Sequence, residues 1–143
     1  MAMQYRDSSR TEASMTRASL QSVAYARVLY LTTIGRKTDL PGEIEIWFVV
    51  CRERLYVFAE TGEDSGWVKN IRRNAKVTVR IGERQLDAKA RVLDRHTDRR
   101  LWDKVAAIAD RKYGWGDGLA VEITPLRSRP AHSAPRIKLG ARR

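Results

Sequence analysis

The densest candidate chemistry in the chain lies in Thr32-Thr33-Ile34-Gly35-Arg36-Lys37-Thr38. These are residue types that hold an anion. Gly35 permits a backbone turn where a Cβ would crowd it, Arg36 and Lys37 offer charged donors, and the hydroxyls of Thr32, Thr33 and Thr38 offer short neutral ones. The same residues also read as a solvated connection between two strands, since Gly-Arg-Lys suits an exposed hairpin loop equally well. A second candidate lies in residues 60–74, where Gly62 and Gly66 precede a short helical pattern whose first turn would present free backbone N–H groups. The alternative there is a capped connecting helix with a core tryptophan.

Other catalytic patterns are missing. There is no Ser-His-Asp order, no paired metal-binding histidines and no Walker loop, and the two histidines, His96 and His132, fall at a strand-helix junction and near the C-terminal end. His96 reads as a surface or capping residue, Tyr30 and Tyr56 as packing residues whose hydroxyls could reach a cleft, and no catalytic residue or metal ligand is assigned. Cys51 is the only cysteine, which excludes an internal disulfide and a cysteine-based metal cluster and suits the reducing cytoplasm.

The elements that must position the loop follow from periodicity. Residues 28–34 form a strand that enters the loop, and Pro41-Gly42 marks a tight turn after it. A second strand over 43–51 places Ile44, Ile46 and Phe48 on one face and Glu43, Glu45 and Trp47 on the other. It is followed by a third strand over 55–59, antiparallel to it. Asp64 or Ser65 caps a short helix with Trp67, Val68 and Ile71 on one face. Strands over 76–81 and 84–93 are joined at Gly82-Glu83. A helix then runs from a Thr97 cap to Tyr113 with Leu101, Val105, Ile108 and Ala109 as its stripe, and a sixth strand over 120–124 ends at Pro125. A helix over 15–27 fits only loosely. Six short strands and two helices predict an α+β domain, a six-stranded antiparallel barrel with flanking helices, because closure removes exposed edges.

With 143 residues, 43% hydrophobic and 31% charged, the chain is the size of one domain, and no apolar run approaches the ~18 residues of a membrane span. The expected divisions are a flexible N-terminus over 1–16, the folded domain over 17–126 and an extended or disordered basic tail over 127–143. Net charge is +11, but residues 127–143 carry six basic residues and no acid, and the body from 28 to 126 is left with only +3. Nucleic acid is therefore not demanded by the folded part, although the tail could touch acidic surfaces weakly.

Taken together, Leu-Thr-Thr-Ile-Gly-Arg-Lys-Thr (31–38), Ile-Trp-Phe-Val (46–49), a Leu-Tyr-Val strand and Trp-Val-Lys-Asn-Ile-Arg-Arg-Asn-Ala-Lys-Val-Thr-Val (67–79) resemble the deazaflavin-dependent nitroreductase family. That family belongs to the split-barrel superfamily of flavin and pyridoxamine-phosphate-oxidase-like proteins. The resemblance spans roughly residues 28–125. It implies a six-stranded split barrel, commonly a homodimer, with cofactor in a cleft at the barrel edge. By the same resemblance Thr33, Arg36, Lys37 and Thr38 grip the cofactor phosphate, Trp47 and Phe48 wall the ring system, and Thr61, Trp67, Lys69 and Asn70 close the site. The family often has Gly where Asp39 stands, and many relatives have Pro at Ala75. The implied function is a reductase that uses coenzyme F-420, an 8-hydroxy-5-deazaflavin, to deliver hydride to an activated alkene, quinone or nitro-aromatic small molecule. The alternatives are an FMN-binding oxidoreductase on the same barrel and a non-catalytic cofactor-binding or nucleic-acid-associated protein.

Overall fold

The computed structural model describes residue 20 and residues 22–130. The expected flexible N-terminus, most of the loosely helical 15–27 segment, and residues 131–143 lie outside these. Seven strands form one antiparallel sheet: β1 (Leu29–Ile34), β2 (Pro41–Ile46), β3 (Phe48–Cys51), β4 (Arg54–Ala59), β5 (Lys76–Ile81), β6 (Arg84–Val92) and β7 (Leu119–Pro130). A single 3-10 turn (Gly62–Asp64) leads into helix α1 (Gly66–Arg73), and helix α2 (Arg99–Tyr113) lies between β6 and β7.

The strand order is β2-β1-β5-β6-β7-β4-β3, so β2 and β3 are the two outer strands. Yet they are separated in sequence by Trp47 alone. One residue can link opposite edges only if the sheet curls round until those edges meet, which makes the sheet a split barrel. The expected second strand is thus two strands, and seven replace the anticipated six. The break has a tertiary cause. The backbone N–H of Phe48 donates to the Tyr113 hydroxyl at 3.1 Å, and the Phe48 carbonyl accepts from Lys112 Nζ at 3.0 Å. Residues at the end of α2 thereby occupy backbone groups that would otherwise continue the β2 ladder.

Alternation sorts the core into two layers. Leu55, Val57 and Ala59 of β4 point into the barrel with Leu29, Leu31, Val79, Leu86 and Ile123, while Tyr56 and Phe58 point outward. The outer layer is covered by Trp102, Val105 and Ala109 of α2. Inside, Val68 and Ile71 of α1 join the first layer, so α1 docks against the interior side near β1 and β6. Each fully buried aliphatic side chain of this kind contributes on the order of 1.5–3 kcal/mol.

Several local expectations change. Pro41 and Gly42 lie within β2, paired with Ile34 and Thr33, and the turn is made earlier, where Gly35 N–H donates to the Leu40 carbonyl at 2.8 Å. Helix α2 begins at Arg99 with Asp98 as its N-cap residue rather than Thr97. Asp94 instead organises the approach, its carboxylate accepting from His96 N and Thr97 N at 2.8 and 2.9 Å. The last strand runs on past Pro125 to Pro130: the register shifts between Asp87 and Ala88, leaving Leu126 as the extra residue of a bulge that accommodates a proline without an N–H.

Candidate cofactor site

Strand β1 alternates buried and half-buried residues, which carries Thr33 inward at 2% exposure, at the mouth where α1 meets the barrel. A buried hydroxyl needs a partner. Asn70 of α1 provides it, Nδ2 donating to Thr33 Oγ1 at 3.0 Å. The same side chain turns its oxygen to the loop, where Oδ1 accepts from Arg36 N at 3.0 Å and from Arg36 Nη1 at 3.1 Å. Arg36 Nη1 also reaches the Gly66 carbonyl at 3.3 Å. Thr33, Arg36 and Asn70 are therefore one hydrogen-bonded unit.

The helix presents this face because Gly66, Lys69, Asn70 and Arg73 fall at i, i+3, i+4 and i+7, one stripe of the surface, while Val68 and Ile71 occupy the buried stripe. Trp67 is half-buried and packs against the barrel core beside it. The turn itself is tight. A Cβ at Gly35 would come within 2.6 Å of Thr38 Oγ1 and 3.2 Å of the Leu40 carbonyl. The Thr38 hydroxyl is engaged locally, accepting from Leu40 N at 3.1 Å, so it shapes the turn. Lys37 and Lys69 are exposed, and their ammonium groups form no hydrogen bond or ion pair with the described residues. Thr61 is exposed, and its Oγ1 lies 2.6 Å from Ser65 Oγ ahead of α1.

Two expected ring-wall residues lie elsewhere. Phe48 is wholly buried in the barrel core and offers no surface to a ligand, because it opens β3 on the inward side. Trp47 is 41% exposed but stacks on Tyr113, ring centroids 4.4 Å apart and 6° from parallel, with Trp115 edge-on at 6.3 Å. The β1–β2 register pairs Ile34 with Pro41 at the loop end and Leu29 with Ile46 at the other, so Trp47 sits a strand length, roughly 17 Å, from the loop. Around it, Lys112 Nζ donates to the carbonyls of Ala24 and Phe48 at 2.8 and 3.0 Å. The Tyr113 hydroxyl lies 2.8 Å from the carbonyls of Arg27 and Phe48, donating to one at a time. Burial, with the Arg27 charge adding, pushes the Lys112 amine down to about 8. This second cluster clasps the N-terminal segment onto α2. Nothing in the sequence pairs residue 47 with residue 113.

The other titratable groups serve the frame. Glu122, 4% exposed on β7, accepts from the Tyr56 hydroxyl at 2.7 Å, from Arg54 at 3.3 Å and from Arg91 Nε at 3.3 Å. Burial and the Glu122 carboxylate raise the Tyr56 phenol well above its ordinary value. The Tyr30 hydroxyl donates to Glu45 at 3.2 Å, Cys51 is buried, and His96 is exposed at the β6–α2 junction. Among the described residues no group of three His, Cys, Asp or Glu side chains could hold a metal ion, and no helix is long and apolar enough to cross a membrane.

A model of the F420H(2)-dependent quinone reductase family matches residues 4–121. The chain belongs to that family. As an F420H(2)-dependent quinone reductase family member it is an oxidoreductase, and the cofactor of its family is coenzyme F-420. No curated protein matches it. Among solved structures it is similar to an F-420-H2-dependent reductase, with 25% identity and a TM-score of 0.54 over 68% of this chain and 93% of that one. It is also similar in fold to a Listeria innocua protein described as a candidate pyridoxamine 5′-phosphate oxidase, with 19% identity and a TM-score of 0.61 over 81% of this chain and 97% of that one. A FAD-binding protein from Mesorhizobium loti shares the fold at 16% identity, with a TM-score of 0.61 over 78% and 90% of the two chains. The residues of this quinone reductase family member fit a phosphate-bearing cofactor: a turn too tight for a Cβ, two exposed lysines whose ammonium groups have no partner among the described residues, and an arginine held in place by Asn70.

Proposed function

We propose that the chain is a deazaflavin-dependent reductase acting on a small activated electron acceptor, a quinone above all, with activated alkenes and nitro-aromatics as further members of the class. The observation that carries this reading is the Asn70 unit, which fixes the 35–40 loop against α1 and leaves the Lys37 and Lys69 ammonium groups beside it with no partner among the described residues. When bound, the deazaflavin supplies the hydride. The protein's part is binding and orientation. Lys37 and Lys69 attract the phosphate, Arg36 ties the loop to α1 with its Nη1 on Asn70 Oδ1 and the Gly66 carbonyl and keeps its remaining donors for the anion, and Thr33 stiffens the base of the turn through Asn70. Thr38 and Thr61 border the grip, and half-buried Trp67 lies beside it as an apolar flank for a ring.

Phosphate recognition of this kind suits FMN as well, which is the alternative cofactor. A homodimer and a cytoplasmic location go with the reading. The test is titration of the purified protein with oxidised coenzyme F-420 and with FMN, following quenching of tryptophan emission. Coenzyme F-420 is expected to bind more tightly, and Lys37→Ala to weaken it by about 1–3 kcal/mol, the range for a charge-assisted contact. Tighter FMN binding would select the alternative, and failure of both ligands would overturn the redox reading.

A further inference from the structure

Beyond the grip residues, one more cation touches the loop. Arg73 lies on the same stripe of α1 as Asn70 and Lys69, and its Nη1 donates to the carbonyl of Arg36. Its Nη2 lies 3.8 Å from Asp39 Oδ1. Asp39 occupies the left-handed region at φ 62°, the conformation a glycine adopts at least cost and that Asp and Asn tolerate. The carboxylate is thus held on the outer side of the turn, against the arginine that grips the loop backbone at the Arg36 carbonyl.

Both partners face solvent, with side chains 54% and 78% exposed, so the pair is weak and exchangeable. Arg72 is different: its guanidinium is committed to Glu63 through two hydrogen bonds of 2.9 and 2.6 Å, away from the loop. Arg73 therefore has one hand on the backbone that presents Lys37 and the other on an acid that any incoming anion could replace.

We infer that Arg73 is an additional anion-binding and positioning residue of the loop, and that Asp39 is its built-in competitor, occupying the guanidinium until a phosphate or carboxylate group of the ligand displaces it. The inference rests on the cofactor reading proposed above. The acid then sets affinity rather than abolishing it: the site binds its anionic ligand less tightly than its cations alone would allow, and releases it more readily.

A double-mutant cycle with coenzyme F-420 as the probe tests this. Arg73→Ala is expected to weaken binding about 5–10-fold and to flatten its dependence on salt, since a charge contact is lost. Arg73→Lys should recover part of the loss by restoring the charge without the forked donor. Asp39→Asn, which keeps a residue that accepts the left-handed turn, should tighten binding about 3–10-fold in the native background and by less than about 2-fold when Arg73 is already alanine. An equal gain from Asp39→Asn in both backgrounds, or unchanged affinity and salt dependence in Arg73→Ala, overturns the inference while leaving the cofactor reading intact. Absence of binding by the unsubstituted protein overturns both. Thermal melts of each variant separate loss of binding from loss of fold.

Discussion

Asn70 has the most demanding position among the site residues. One amide satisfies a buried threonine hydroxyl and two donors of Arg36, so its removal leaves several polar groups stranded at once. Asn70→Ala is expected to destabilise the fold by about 1–3 kcal/mol, the cost of leaving such a group unpaired, and to weaken cofactor binding beyond that of Lys37→Ala. A urea titration reads the first and a cofactor titration the second. Asn70→Asp should keep the acceptor for Arg36 but lose the donor to Thr33. Part of this was legible in the sequence, since Gly35, Arg36 and Lys37 carry their chemistry in their type, whereas Asn70 enters only through the family resemblance. What was illegible depended on burial and on distant partners. Alternation sets Phe48 on the face of Ile44 and Ile46, and only the family resemblance makes it a ring wall, a role its full burial at the start of β3 leaves no surface for; Asp39 reads as a stray acid until Arg73 is seen beside it.

Among the elements, the end of α2 does the most for the surrounding chain. Lys112 and Tyr113 hold Ala24, Arg27 and Phe48 by their carbonyls, tying the N-terminal segment, the β2–β3 break and the helix together. Burial places the folded Lys112 near 8, below its ordinary 10.5, so between those values the unfolded chain keeps a proton that the folded chain has released. Unfolding then takes up a proton, and the contribution of this group to stability rises with pH from about 8 to 10.5 and is least below 8. Comparing urea midpoints of the native protein and Lys112→Met from pH 7 to 10 should show this upward trend in the native protein and its loss in the variant. A parallel trend in both would assign it to other groups. Periodicity placed α2 to within a residue or two because its stripe is regular. It could not foresee the clasp, which depends on carbonyls that any residue supplies. In the β3–β4 connection Arg52 and Glu53 both take left-handed backbone at φ 53° and 64°, as a two-residue hairpin turn requires, and no glycine or asparagine there announces it.

For the whole molecule, the barrel was readable from alternation and turn signals, and the place where it closes was not, because the sequence across Ile46-Trp47-Phe48 carries no breaking residue. The C-terminal boundary was misplaced for a related reason: Pro125 looks like a strand end, but the bulge at Leu126 lets pairing resume, with Arg127 opposite Asp87 and Pro130 opposite Arg84. A chain ended after Leu126 is therefore expected to be less stable than one ended after Pro130 by about 1–3 kcal/mol, at a few tenths to 1 kcal/mol for each lost cross-strand pair. Urea midpoints of the two truncations measure it, and equal values would mean that the last four residues of β7 add nothing. The single-residue link at Trp47 also has a consequence in time. The hairpins β1–β2, β3–β4 and β5–β6 join neighbours in sequence and can form early and separately. Their union is a matter of contacts distant in sequence, because β2 and β3 share one backbone and seat at opposite margins of the sheet. The ring is complete only when β1 is paired with β5, β4 with β7, and Trp47 is stacked on Tyr113 at the end of α2, so one tryptophan answers for both margins.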